Sequence, residues 1–451
     1  MTPRFGALSR TLACLALAAL VHALAPPPDA LRTGLALFVL IGGLWMTQAL
    51  HLSITALLVP LLAVLSGLMG VREALASFAH PIIFLFLGGF ALAAALQRHG
   101  LDRALALAVM RLAGGQRVRA VLLLFGLTAL LSMWISNTAS AAMMLPLALG
   151  LLRDDAASDT TIGTREKAFV LLGLAYSASI GGMGTLVGSP PNAIAAAQAG
   201  IGFAQWLLIG LPLVALLLPL MIGVLYLVLR PRFHGRIAMT HEAMVWTRER
   251  RTTMVVFTLT AAAWVASAPI GRMLGIGAEV DSVIALAAII ALVASGTLGW
   301  PELEQRTQWG VLLLFGGGLA LSQVMGASGA SRFLAEQLLA LLQGAPVPLL
   351  LLGMVAFVVF LTELVSNTAS AALLIPIFLG VASALGLPPQ LLAAAIAVAA
   401  SCAFMLPVAT PPNAIVFATG QVSQATMMRC GLALNLVSIA VITTLATWTW
   451  R

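Results

Sequence analysis

Charge is what this sequence most conspicuously lacks: Asp, Glu, Lys and Arg make up 8% of its 451 residues, against about 25% in soluble domains. With 61% hydrophobic residues as well, it cannot cover a globular surface with polar groups, so its outer face must meet lipid. Lysine is nearly missing, one residue against 22 arginines. The formal charge of +8 invites a nucleic-acid partner. The arginines, however, lie between apolar runs, the pattern of positive-inside topology rather than of a basic groove, and no nucleic acid is expected. Cysteine is scarce too. Cys14, Cys402 and Cys430 are odd in number and scattered, which excludes a disulfide framework or a metal-like spacing and leaves them as small packing residues. The apolar runs hold no His/Asp/Glu cluster, and an intramembrane enzyme would need a base or a metal set.

What is present is a series of apolar runs, each near the length of about 20 residues that a helix needs to cross the hydrocarbon core. They fall at 11–25, 31–50, 53–70, 81–99, 168–187, 203–229, 252–271, 281–298, 309–325, 391–409 and 425–449. The first follows Arg4 and Arg10 as a signal peptide would, but Pro26-Pro27-Pro28 is a poor cleavage site, so it is read as a span. Two further apolar segments, 119–152 and 345–382, are too long for one span, and each is interrupted by a Ser-Asn-Thr cluster. Polar backbone at mid-depth must be buried in protein or line a cavity, so both are read as re-entrant hairpins. The expected fold class is therefore an all-α polytopic membrane protein of eleven spans plus two re-entrant hairpins.

The charges agree with this count. With the N-terminus cytoplasmic, Arg98, Arg103, Arg111, Arg117 and Arg119 fall inside, as do Arg230, Arg232, Arg236, Arg248, Arg250 and Arg251, while loops near 200 and 385 are almost uncharged. The C-terminus then lies outside.

The central basic segment, 230–251, divides the chain into halves, 1–229 and 252–451, that resemble each other. Gly88-Gly89 returns at Gly317-Gly318, Ser136-Asn137-Thr138-Ala139-Ser140 at Ser366-Asn367-Thr368-Ala369-Ser370, and Ser189-Pro190-Pro191-Asn192 at Thr410-Pro411-Pro412-Asn413. The first half thus holds a hairpin at 119–152 and a broken helix at 168–200, with an extra connection at 153–167. The second half holds a hairpin at 345–382 and a broken helix at 391–421. One hairpin enters from inside and the other from outside, so the repeats have inverted topology. That arrangement is typical of secondary transporters, whose sites lie between the repeats near mid-membrane.

The motifs carry matching chemistry. A hairpin tip frees backbone N–H groups where its second helix begins, and these attract an anion, with Ser136 and Ser366 as N-caps. Pro-Pro interrupts a helix, freeing upstream carbonyls for a cation, with Asn192 and Asn413 expected to cap the restarted half-helix. Hard oxygen donors suit Na⁺. No Arg or Lys lies near the motifs, so co-bound cations are a physically reasonable source of countercharge for a multivalent anion. Glu363, the only acidic residue in the interior of a predicted membrane segment (Asp281 opens another), reads either as a coupling group or as an acceptor for hairpin N–H groups; Met133 is its counterpart. His80 reads as interfacial, and Gly88-Gly89 and Gly316-Gly317-Gly318 as close-packing sites.

Over nearly its whole length, and in its paired Ser-Asn-Thr and Pro-Pro-Asn motifs, the chain resembles the divalent anion:Na⁺ symporters, the dicarboxylate or solute carrier 13 family. The resemblance implies a homodimer in the cell (inner) membrane, with scaffold and transport domains interleaved across both repeats and an elevator mechanism. It implies substrate ligands at Ser136, Asn137, Thr138, Ser366, Asn367 and Thr368, flanked by Ser189, Thr410 and Pro411. One Na⁺ site would use Ser132, Ser136, Asn137 and the Gly188 carbonyl; a second would use Thr362, Asn367 and the carbonyls of Val365 and Ala409. The substrate expected is a C4-dicarboxylate such as succinate, malate or fumarate, with no organic cofactor. Sodium-independent exchange, or transport of sulfate, citrate or tartrate, is the alternative.

Overall fold

The structure is a computed structural model and describes residues 3–152, 162–233, 245–276, 279–341 and 346–448. Parts of two expected connections, 153–161 and 234–244, lie outside the described residues. In the first half, α1 (Pro3–Leu24), α2 (Asp29–Thr47), α3 (Leu52–Leu65), α4 (Val71–Ala76) and α5 (Pro81–Arg98) are followed by α6 (Leu101–Arg111). Then come α7 (Arg117–Ser132), α8 (Asn137–Leu151), α9 (Thr164–Gly182), α10 (Pro190–Ala199) and α11 (Phe203–Leu229). The second half runs through α12 (Arg248–Val265), α13 (Ser267–Leu274), α14 (Val280–Ala294), α15 (Trp300–Arg306), α16 (Trp309–Ala327) and α17 (Ala330–Leu341). It ends with α18 (Val347–Thr362), α19 (Asn367–Leu385), α20 (Pro389–Ser401), α21 (Pro411–Phe417) and α22 (Gln424–Trp448).

Among the described residues, seven stretches are long and apolar enough to cross a membrane: α1, α2, α4 continued into α5, α11, α16, α19 and α22. The expected single span 252–271 is α12 and α13, bent by 79° at Ala266. The expected runs 168–187 and 391–409 stop as helices at Gly182 and Ser401, because the chain unwinds well before each Pro-Pro. Four short helices, α4, α6, α15 and α17, fall where only loops were expected. Two of these, α6 and α17, are amphipathic; on α6, Asp102, Ala106 and Met110 are buried along one side. Proline fixes several starts: Pro81, Pro190 and Pro411 each occupy a first helical turn, where a missing N–H costs nothing. Gly200 and Gly386 end α10 and α19 in the left-handed region, φ 67° and 65°.

The packing follows the repeat. On α5, Gly88 faces Ala285 of α14, where an added Cβ would stand 2.6 Å from the alanine's own. On α16, Gly317 faces Ala56 of α3 at the same 2.6 Å. Those two helix pairs approach closely because the glycines leave room. Elsewhere the halves exchange partners: α10 packs on α20 and α19, while α21 packs on α9 and α8. Each half's restarted helix therefore rests on the other half, which draws all four broken elements to one place. Cys14, Cys402 and Cys430 are buried free thiols.

Candidate functional site

At each hairpin tip four residues separate the two helices: 133–136 between α7 and α8, and 363–366 between α18 and α19. Ser132 and Thr362 end the descending helices and are fully buried. Ser132 Oγ lies 2.6 Å from the Ala178 carbonyl and 2.7 Å from the Asn137 side chain. Thr362 Oγ1 lies 2.8 Å from both the Ala400 carbonyl and Asn367 Oδ1. The two tips are thus built on one plan.

The Asn137 amide has two distinct options. With its nitrogen inward it donates to Ser132 Oγ at 2.7 Å and to the Ala178 and Gly188 carbonyls at 3.2 Å. With its oxygen inward, Oδ1 faces Ser132 Oγ and the Ala178 and Gly188 carbonyls, so four oxygens gather at the tip.

Beyond α9 and α20 the chain is unwound, and its freed carbonyls are taken by the asparagines expected to act as caps. Asn192 Nδ2 donates to Gly182 at 2.9 Å and Thr185 at 2.7 Å, and Asn413 Nδ2 to Ala403 at 3.1 Å and Leu406 at 3.0 Å. They are braces from the restarted helix back to the unwound segment, not caps. The side-chain cap is Thr410, whose Oγ1 accepts from Asn413 N at 3.3 Å. Ser189 faces Ser401, Oγ to Oγ 3.3 Å, instead of capping. Ser136 accepts from Ala139 N at 3.3 Å, whereas Ser366 makes no side-chain cap bond.

Glu363 accepts backbone N–H groups, but those of the unwound segment rather than the hairpin. Phe404 and Met405 donate to Oε1 at 2.7 and 2.8 Å, Leu406 to Oε2 at 3.1 Å, and Asn435 Nδ2 to Oε1 at 2.8 Å. At the Met133 position the first half lacks a carboxylate; the Met133 carbonyl accepts from Thr185 Oγ1, which in turn accepts from Gly188 N. His80 caps α5, its Nδ1 accepting from Ile82 N at 3.3 Å.

All four motifs face one cavity of about 380 Å³. Ser136, Asn137, Thr138, Ser189, Ser366, Asn367, Thr368, Thr410 and Pro411 line it, as do Gly188, Val365 and Ala409. Ser132 and Thr362 lie behind that lining. The opposite wall holds Phe86 and Phe90 of α5 with Gln48 and Gln308, which the motifs did not point to. Trp134, also in the lining, stacks on Trp264 of α12 with ring centres 6.4 Å apart. Its only sequence signal was a position inside the tip. None of the described residues lining the cavity is charged.

Paired hairpins, paired broken helices and a shared neutral cavity among apolar spans define a polytopic membrane transporter. A family model described as citrate transporter matches residues 43–399 and, in a second match, 281–450. The chain belongs to this family, and its relatives place it with the divalent anion:Na⁺ symporters. It is 50% identical over 426 residues to an "uncharacterized transporter" of Haemophilus influenzae, covering 93% of this chain and 92% of that one. It is 36% identical over 428 residues to the sodium-dependent dicarboxylate transporter SdcS of Staphylococcus saprophyticus, covering 88% and 82%. Two solved structures share the fold. The YdaH transporter of Alcanivorax borkumensis has TM-score 0.54 at 15% identity, covering 84% of this chain and 87% of that one. MtrF of Neisseria gonorrhoeae has TM-score 0.56 at 14% identity, covering 84% of each.

Proposed function

We propose that this transporter is a Na⁺-coupled symporter of C4-dicarboxylates such as succinate, malate or fumarate. One observation carries the reading: both repeats converge on a cavity rich in neutral hydrogen-bonding groups, with no charged side chain among the described residues that line it. The N-termini of α8 and α19 supply N–H groups and the positive ends of their dipoles to carboxylates. Ser136, Asn137, Thr138, Ser366, Asn367 and Thr368 hold the substrate, with Ser189, Thr410 and Pro411 beside it. Helix dipoles alone leave a dianion undercompensated, so cations travel with it. One Na⁺ takes Ser132, Ser136, Asn137 and the Gly188 carbonyl, the second Thr362, Asn367 and the carbonyls of Val365 and Ala409. The oxygens gathered around Asn137 and Asn367 support this assignment.

In our reading α1–α5 and α12–α16 form the scaffold, α7–α11 and α18–α22 the moving body, and α6 and α17 the connectors. The chain works as an elevator in a homodimer, in an inner membrane, with the N-terminus cytoplasmic and the C-terminus outside. Uptake of labelled succinate into proteoliposomes tests the coupling. Uptake should rise steeply with an inward Na⁺ gradient; uptake indifferent to that gradient, or requiring internal dicarboxylate, would establish exchange instead.

A further inference from the structure

The two repeats have the same plan but not the same burial. Val187 and Val408 are equivalent, each two residues before the residue that opens a Pro-Pro motif, Ser189 or Thr410. Both line the cavity, yet Val187 is 8% exposed and Val408 85%. The surrounding segments differ likewise: residues 183–188 are all buried, whereas 405–407 and 409 are only half-buried. The cause lies across the cavity. Val187 is seated on Gly89 of α5, where an added Cβ would stand 3.0 Å from Val187 Cγ1. The equivalent notch on α16, Gly318, is filled instead by Ala372 of α19, again 3.0 Å from an added Cβ. The tips agree: Trp134 is packed on aromatic rings, while its equivalent, Leu364, is 74% exposed.

We propose that Val187 and Val408 are alternating plugs, one for each repeat. In this conformation Val187 sits on Gly89 and closes the first-repeat cation position, leaving the Ala409 side of the second open to solvent. In the opposite conformation Val408 sits on Gly318 and closes the second, while Ala372 leaves Gly318 and Ala142, its repeat equivalent, takes Gly89. The two cation positions are therefore never equally accessible, and the second-repeat position exchanges with solvent in the conformation described. This rests on the reading of the chain as an alternating carrier with one cation position per repeat.

Labelling of Val187→Cys and Val408→Cys in the purified full-length protein by a water-soluble maleimide tests it, the three native thiols being buried. Val408→Cys should label fast and Val187→Cys slowly. Val408→Ala removes two methyl groups that are exposed here but buried in the opposite conformation, the only one that exposes position 187. Added to Val187→Cys, it should slow labelling about tenfold, the worth of two buried methyls. Equal labelling of the two cysteines would overturn the proposal, as would a Val408→Ala change that leaves the Val187→Cys rate unchanged or raises it. Repeating the measurement with choline in place of Na⁺ separates the two readings. Asymmetry and a tenfold effect that are indifferent to Na⁺ uphold the plugs and refute sodium coupling.

Discussion

Thr362 Oγ1 lies 2.8 Å from Asn367 Oδ1, joining the last residue of one hairpin helix to the first of the next. Ser132 and Asn137 repeat the contact at 2.7 Å. Each asparagine thus stands between a buried oxygen cluster and the cavity, in reach of both the cation and the substrate proposed there. Replacing either with Ala should raise the apparent KM for substrate and the half-saturating Na⁺ concentration together, each by about tenfold, the loss of one or two hydrogen bonds to charged partners. Uptake titrated against each solute in turn measures this. A shift in one constant alone would place the asparagine in only one site.

Asn192 and Asn413 predict a stability effect rather than an affinity effect. Each side chain donates to two carbonyls of the unwound segment and is fully buried. Asn192→Leu or Asn413→Leu leaves two buried acceptors unpaired, at about 1–3 kcal/mol each. The melting temperature in detergent should fall in both variants. Substrate should restore part of the loss, because ligand bound to the native state stabilises it.

The glycines separate packing from mere flexibility. A methyl at Gly317 would meet the Ala56 backbone at 2.7 Å, which cannot yield without parting α3 from α16. Gly353, on α18, has nothing within 4 Å of such a methyl. Gly317→Ala should lower the melting temperature, by about 1–3 kcal/mol of overpacking. Gly353→Ala should leave it unchanged or raise it slightly, since alanine favours a helix interior over glycine.

The repeat was legible because it was written in residues with few other uses: Pro-Pro, paired glycines, and Ser-Asn-Thr inside an apolar run. Those strings located both tips, both unwound segments and the whole motif wall of the cavity. The other wall was not legible. Phe86, Phe90, Gln48 and Gln308 join it only through the packing of α5, α2 and α16, and no local pattern marks a phenylalanine as facing a cavity rather than lipid. Roles also shifted where two chemistries suit one residue. An asparagine after Pro-Pro serves equally as cap or brace, and only the path of residues 183–189 decides for the brace. The helix α6 was hidden by its charges, since Asp102 and Arg103 read as loop, whereas Asp102 is itself buried on the side it shares with Ala106 and Met110.

Glu363 yields the sharpest separation of roles. Its carboxylate gathers three backbone N–H groups and the Asn435 amide, and so holds the unwound segment that leads to Ala409. Glu363→Gln keeps one oxygen acceptor but turns an NH₂ group toward donors, while Glu363→Ala leaves all four donors without their acceptor. Unpaired buried donors cost about 1–3 kcal/mol each before relaxation or entry of water. Thermal stability should therefore fall in the order parent, Glu363→Gln, Glu363→Ala. Asn435→Leu, which removes one of the four bonds, should fall between the parent and Glu363→Ala. Uptake should slow in the same order, because Met405 and Leu406 precede the carbonyl assigned to the second Na⁺. A coupling group would behave differently: Glu363→Gln would keep the parent's melting temperature and flatten the pH profile of uptake. Melting curves and uptake across pH on the same preparations distinguish the two, and the four converging donors favour the first outcome.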